Sequence, residues 1–233
     1  MATKHTSVWL IIPQTNLHVG NESIVNFSVI DKAIQRDVTT GLPCINSSSL
    51  KGAIKEYLTY AAGNDATKQE KIIKLFGSIK NNKDSQKGLA IFFDAALLAI
   101  PEQKTDIGTP YKQVYSDEQV DSFMTKAELL GSKVKKEYIL KHITNKEEVD
   151  YQMFETLCSD DNLPIIARNC LNNGESANLW YEQVLPSQSV LATIIQTNEE
   201  NDLEELNGAI VQIGANATIG YGYCKFIKLE GGK

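Results

Sequence analysis

A chain of 233 residues with 42% apolar side chains can bury one large core or two small ones, and is expected to fold as a globular protein. Its longest apolar runs, 8–12 and 95–100, are far too short to cross a bilayer, and the polar start M-A-T-K-H-T-S carries no signal-peptide pattern, so a cytoplasmic location is expected. The net charge of −6 argues against wholesale binding of a polyanion, yet the excess acid is local: residues 151–233 hold 4 basic and 11 acidic side chains, against 5 and 4 in residues 1–60. Arg36 and Arg168 are the two arginines beside 21 lysines, so any cationic surface is made mainly of lysine. Cysteines at 44, 158, 170 and 224 with histidines at 5, 18 and 142 show no C-x-x-C or zinc spacing, and read as reduced, mostly packed thiols.

In chain order, residues 7–13 (S-V-W-L-I-I-P) form a buried strand closed by proline. Residues 15–46 lack periodicity, and so long a connection is either functional or a misjudged element. Ser47 or Ser48 caps a helix with Leu50, Ile54, Tyr57, Leu58 and Ala61 on one face and Gly63 as its stop. A lysine-rich segment and L-F-G (75–77) follow, then 89–100, a second core element ending at Pro101 whose first half reads as a strand. Residues 102–162 are highly charged and read as an inserted set of short helices and loops rather than a second core. Residues 165–171 and 178–184 form a hairpin across N-N-G (172–174), and 189–196 a strand. Leu203, Leu206, Ile210 and Ile213 keep helical spacing up to Gly214, and a Gly-rich turn leads into a last alternating strand. The order strand, helix, strand, strand, helix, strand predicts an α+β, ferredoxin-like fold with large insertions.

Two places suit phosphate chemistry. Lys51 lies in the first turn of the helix, where free backbone N–H groups and the helix dipole attract anions, and Ser47 and Ser49 add hydroxyls. The plain alternative, a capping serine beside a solvated lysine, is equally compatible with these residues. The S-x-x-K spelling of serine acylases lacks its S-D-N and K-T-G partners here. Gly214, Gly220 and Gly222 permit close backbone approach, but precede a strand instead of opening a helix, which excludes the dinucleotide fingerprint. Asp31 is an isolated carboxylate in the irregular segment; a free aspartate, with a pKa of about 3.9, is a weak general base and better suited to holding a divalent ion or orienting a hydroxyl.

Five segments in order, L-H-V-G-N-E-S (17–23), V-I-D-K-A-I-Q-R-D…T-G-L-P-C-I-N-S-S-S-L-K-G-A-I-K (29–55), L-F-G with G-L-A-I-F-F-D-A-A-L-L-A-I-P (88–101), A-R-N-C-L-N-N-G…L-W-Y-E-Q-V-L-P (167–186) and I-G-A-N-A-T-I-G-Y-G-Y (213–223), resemble the RAMP superfamily of CRISPR proteins. The nearest resemblance is to the backbone subunits of the type III-B (Cmr) effector, the fourth Cmr subunit family. D-x-x-I-Q-R followed by S-S-x-K-G is the most specific part; Asn46-Ser47-Ser48 stands in place of the P-G-S usual in the family, and Lys55 in place of the usual arginine.

The resemblance implies a modified ferredoxin-like (RRM-like) RAMP domain over 1–233. Its palm comes from 7–13, 48–62, 88–100 and 189–230, and its β-hairpin thumb from 165–184, with the 102–162 insertion as the alternative source. Copies would line a crRNA as a filament, contact other Cmr subunits including the polymerase-like large subunit, and cut complementary target RNA at regular intervals with a divalent metal, Mg or Mn. Asp31 is implied as the cleavage carboxylate and metal ligand, with His18 and Glu182 as auxiliaries. Lys51, Ser47, Ser49, Arg36, Arg168, Gly220 and Gly222 are implied as RNA contacts. The alternative is a scaffold subunit that binds crRNA without cutting.

Overall fold

The structure, a computed structural model, describes residues 4–20, 30–78, 85–103, 108, 110–173 and 175–230. Residues 21–29, which hold the end of the L-H-V-G-N-E-S motif and the first residue of the next, lie outside them. In chain order the elements are β1 (His5–Pro13), β2 (Cys44–Ile45), α1 (Ser47–Ala62), α2 (Ala66–Phe76), β3 (Ile91–Phe92), β4 (Ala95–Gln103) and β5 (Tyr111–Ser116). There follow α3 (Asp117–Leu129), α4 (Lys136–Leu140), β6 (Lys146–Val149), α5 (Tyr151–Leu157), β7 (Ile165–Asn172), β8 (Glu175–Gln183), β9 (Val190–Thr197), β10 (Ile210–Gln212) and β11 (Tyr223–Leu229).

The central sheet runs β10-β11-β1-β9-β4-β5-β6, and its inner order β11-β1-β9-β4 is antiparallel throughout. That is the ferredoxin-like arrangement, with β1, α1, β4, β9 and β11 as its parts. β1 reads as one apolar run because both of its faces are covered. Trp9 and Ile11 meet α1, α2 and α5, while Val8 and Leu10 meet Leu98, Val120, Phe123, Ala127 and Ile139 on the other side. The second of these clusters corrects the reading of 102–162 as lacking a core. Its charged residues face solvent, but β5 and β6 extend the sheet and α3 and α4 roof its second face.

Two further expectations are corrected, and the lysine-rich segment, given no structure from the sequence, proves to be a helix. The 89–100 segment is paired mainly in its second half: β3 is two residues long, the chain breaks at Phe93-Asp94, and β4 continues through Pro101. Proline is tolerated there because pairing of β4 with β9 ends at Ala99, leaving only the β5 side, so its missing N–H falls on an open edge. The spacing over 203–213 yields a 3₁₀ turn, Glu204–Leu206, and then β10; Gly208, at φ +81°, turns the chain back so that Phe226 bonds both Gly208 and Ala209. The lysine-rich segment is the helix α2, capped by Asp65 through Thr67 and Lys68 and burying Ile72, Leu75 and Phe76.

α1 spans the range expected, with Gly63 at its end. Its N-cap is Asn46 and not a serine; the Asn46 side chain makes no capping bond, and the Ser47 amide is held by Asp94 Oδ1 at 2.6 Å. β7 and β8 pair only with each other and form a ribbon apart from the central sheet, with exposed residues along most of β8. Cys44, Cys158 and Cys224 are buried free thiols whose ionisation burial pushes up to about 12, while Cys170 is an exposed free thiol on the ribbon.

Phe154 on α5 is fully buried in the main core, whereas Leu179 on the ribbon is 53% exposed. Phe154→Ala is expected to cost about 3–5 kcal/mol in urea unfolding, and Leu179→Ala less than about 0.5 kcal/mol. Equal losses would mean that the ribbon is packed as part of the core.

Candidate RNA interface

The irregular segment after residue 30 is a strap laid across the sheet's end and fastened at three points. At its start, the Asp31 and Lys32 amides both donate to Tyr181 O at 3.1 Å, the Tyr181 amide donates to Asp31 Oδ2 at 2.7 Å, and Gln183 N donates to Lys32 O at 2.9 Å. Asp31 is thus exposed but fixed against the foot of β8. In the middle, Arg36 donates to Asp160 Oδ1 from Nε (3.0 Å) and Nη2 (2.6 Å), and from Nη1 to the carbonyls of Gly41 (2.7 Å) and Cys158 (2.9 Å). At the far end, Gln35 receives the Asn46 amide at 2.8 Å and donates to Ser49 Oγ at 3.1 Å, which ties the strap to the start of α1.

Glu182 organises the foot of the ribbon. Its carboxylate is almost fully buried and accepts four donors: Lys32 Nζ (3.0 Å) and Trp180 Nε1 (2.8 Å) on Oε1, Arg168 Nε (3.2 Å) and Asn216 Nδ2 (2.8 Å) on Oε2. Burial opposes ionisation, but the hydrogen bonds from Trp180, Lys32 and Asn216 and the charge of Lys32 outweigh it and take the carboxyl down to about 2. Two cation–aromatic stacks flank it, Lys32 Nζ 5.1 Å over Trp180 and the Arg168 guanidinium 4.6 Å over Tyr221. Arg168 Nη2 is buried with no hydrogen-bond partner among the described residues.

His18 is 3% exposed, with Nδ1 2.7 Å from Gln183 O. The carbonyl cannot donate, so Nδ1 carries the hydrogen in this bond. The Gly-rich loop closes over this level: the Ala215 amide donates to His18 O, and a Cβ at Gly214 would collide with the same carbonyl. A Cβ at Gly222 would collide with Ile213 O, so φ values of +81° and +78° at these two positions serve packing. Gly220, by contrast, faces open space.

The strap and ribbon therefore bring Asp31, His18, Glu182, Arg168 and the Gly220–Gly222 turn to one end of the sheet. Ser47, Ser49 and Lys51 stand at the start of α1, at the strap's other end. Lys51 has no hydrogen bond or ion pair among the described residues. Residue types alone did not single out Lys32, Trp180, Gln183, Asn216 or Asp160; adjacency to Asp31 and to Glu182 in the quoted motifs was the available signal for the first two.

Among the described residues no three His, Cys, Asp or Glu side chains cluster as a ready metal cage. Asp31 keeps one carboxylate oxygen outside its bond to Tyr181, which fits an ion such as magnesium that takes one carboxylate and completes its shell with water and substrate phosphate.

Glu182→Gln is expected to destabilise the chain by about 3 kcal/mol at pH 7, since it leaves two cations facing an uncharged group. A carboxyl lowered from the unfolded range near 4.3 to about 2 stabilises fully above the unfolded value and loses that contribution as pH falls through the folded one. The gap between wild type and Glu182→Gln in urea unfolding should hence be constant above pH 5 and shrink towards pH 2; a gap independent of pH would show that Glu182 is not ionised in the fold.

Comparison with known proteins agrees with this architecture. The family model for the RAMP superfamily matches residues 11–225. The CRISPR system Cmr endoribonuclease Cmr4 of Pyrococcus furiosus is 26% identical over an alignment covering 91% of each chain. The fold is shared with a chain of the type III-B Cmr-beta complex bound to cognate target RNA (TM-score 0.76, 20% identity, 98% of each chain). It is shared also with the oligomeric Cmr4 of P. furiosus (TM-score 0.72, 21% identity, 98% of this chain and 99% of that one). This chain belongs to the RAMP superfamily and is similar along nearly its whole length to Cmr4, the backbone subunit of type III-B complexes.

Proposed function

We propose that this chain is the repeated backbone subunit of a type III-B effector, in which copies line a guide RNA and each cuts the complementary target RNA beside its own ribbon. The observation that carries the reading is the placement of Asp31, an exposed carboxylate fastened by the β8 backbone at the foot of a ribbon that stands off the sheet. The name of the P. furiosus relative, an endoribonuclease, and the target RNA in the Cmr-beta complex support it.

The 165–183 ribbon acts as the thumb. A base-paired A-form strand holds each 2′-oxygen out of line with the neighbouring phosphate, and displacing one nucleotide frees its sugar to rotate into line. Attack then forms the bond between the 2′-oxygen and phosphorus and breaks the bond from phosphorus to the 5′-oxygen. Asp31, with water and phosphate oxygens, would hold the divalent ion that supplies positive charge at the reacting phosphate. The start of α1 serves the guide strand: Lys51 and the hydroxyls of Ser47 and Ser49 grip its phosphates, and the Gly220–Gly222 turn lies against its backbone. Sequence is read by base pairing, which a protein with two arginines and few exposed aromatics can leave to the RNA.

Asp31→Ala in the assembled complex should lower the single-turnover cleavage rate by more than about 100-fold, with guide and target binding held within about 2-fold. Evenly spaced cutting at the wild-type rate would leave the subunit a scaffold. Lys51→Ala should weaken guide retention and flatten its salt dependence by about one unit of log–log slope; unchanged retention across a salt titration would make Lys51 a solvated side chain.

A further inference from the structure

We propose that Lys32 is a second catalytic residue, its ammonium contacting the phosphate on which Asp31 acts, with Glu182 as the residue that positions it; this rests on the cleavage reading above. Elsewhere among the described ion pairs a cation meets one acid or two: Lys112 bridges Glu102 and Glu147, and Lys136 bridges Asp117 and Asp121. At Glu182 alone among them do two cations share one carboxylate. Arg168, stacked on Tyr221 with a side chain only 21% exposed, already balances that charge. Lys32 is therefore surplus positive charge, and its side chain is 52% exposed.

A lysine ammonium has three donors, of which Glu182 takes one. Trp180 beneath the ammonium and Glu182 beside it restrict the rotamers of a side chain that is otherwise among the most mobile, so the remaining donors are pre-aimed. Asp31 and Lys32 are consecutive and bond through their amides to one carbonyl, Tyr181 O, so carboxylate and ammonium are carried by a single fixed piece of backbone. Glu182 itself has all four of its donors in place and is buried, which leaves it no role in proton transfer or metal binding and a clear one in orienting Lys32. At a pentacoordinate phosphate, whose negative charge grows in the transition state, such a fixed cation stabilises the transition state more than the ground state.

The test uses the complex assembled with guide RNA and pre-bound target, under single turnover. Lys32→Gln should slow cleavage about 100-fold while target affinity stays within about 2-fold, and Lys32→Arg should restore most of the rate. Sulfur replacing a non-bridging oxygen at the scissile phosphate should slow the wild type but add little to Lys32→Gln, because the lost contact is the same one. Wild-type cleavage by Lys32→Gln, or full additivity of the sulfur effect, overturns the proposal, as does a rate loss matched by an equal loss of target affinity. If Lys32→Gln assembles poorly, Lys32→Met, which keeps the stem over Trp180 and lacks the charge, is read by the same rate and sulfur comparison in its place. An Asp31→Ala complex run alongside separates the two readings: if it cuts normally, the site itself is misplaced, whereas a dead Asp31→Ala with a normal Lys32→Gln removes only Lys32.

Discussion

The buried carboxylate of Glu182 is the interaction on which the rest of this end of the molecule depends. A desolvated charge costs several kcal/mol unless it is fully paired, and here four donors arrive from four separate pieces of chain: the strap through Lys32, β7 through Arg168, β8 through Trp180 and the Gly-rich loop through Asn216. Regular hydrogen-bonded pairing with the central sheet is sparse in those pieces. The ribbon's two strands form a sheet of their own, the strap has isolated bridges, one of them to Glu182, in place of regular structure, and the loop before β11 holds only a three-residue 3₁₀ turn. One charge in the right place makes their relative positions a condition of folding.

The strap extends that condition to the start of α1. Arg36 closes the turn at 37–41 and joins it to Asp160, whose carboxyl burial would raise but which the Gln183 hydrogen bond and the Arg36 charge hold below the usual range. The Gln183 backbone in turn donates its amide to Lys32 O and accepts at its carbonyl from His18 Nδ1. Asp31 at one end and Ser49 at the other are therefore set by a single hydrogen-bonded path through Gln35, Arg36, Asp160 and Gln183. A strap bonded along its length thereby fixes the distance between Asp31 and the start of α1. Arg36 uses four of its five N–H donors within the chain, so its role in the structure is to hold this geometry.

The charge distribution acquires a physical meaning in the same frame. The acid-rich last third contributes its cluster at 199–205 to the far end of the molecule, where Lys228 pairs with Glu204 and Lys68 with Glu205. At the ribbon end the same third contributes Glu182 and Arg168, and the strap brings Lys32. The acid of that end is thus buried and paired, while the Lys32 ammonium stays half exposed beside the Asp31 carboxylate.

Much of the fold was legible in the residues. β1, α1, β9 and β11 announce themselves by apolar runs, helical spacing and a terminal glycine, since local propensity and burial agree there. The motif from Asp31 to Lys51 likewise stands out by residue type alone. What the sequence could not show is where competing signals are resolved by contacts distant in the chain. Leu203, Leu206, Ile210 and Ile213 keep helical spacing, but β11 draws Ile210–Gln212 into the sheet; Pro101 reads as a strand end, yet sits on an open edge. The lysines over 66–76 and the charges over 111–149 conceal a helix and a second core because the apolar residues between them are sparse until the sheet collects them. The same holds for the site: the sequence by itself determined which charged groups exist and that Asp31 and Lys32 are neighbours. Only the tertiary structure decided that Glu182 is buried and saturated while Lys32 is half exposed, because burial and pairing depend on four segments as much as 184 positions apart (Lys32 and Asn216) meeting at one carboxylate.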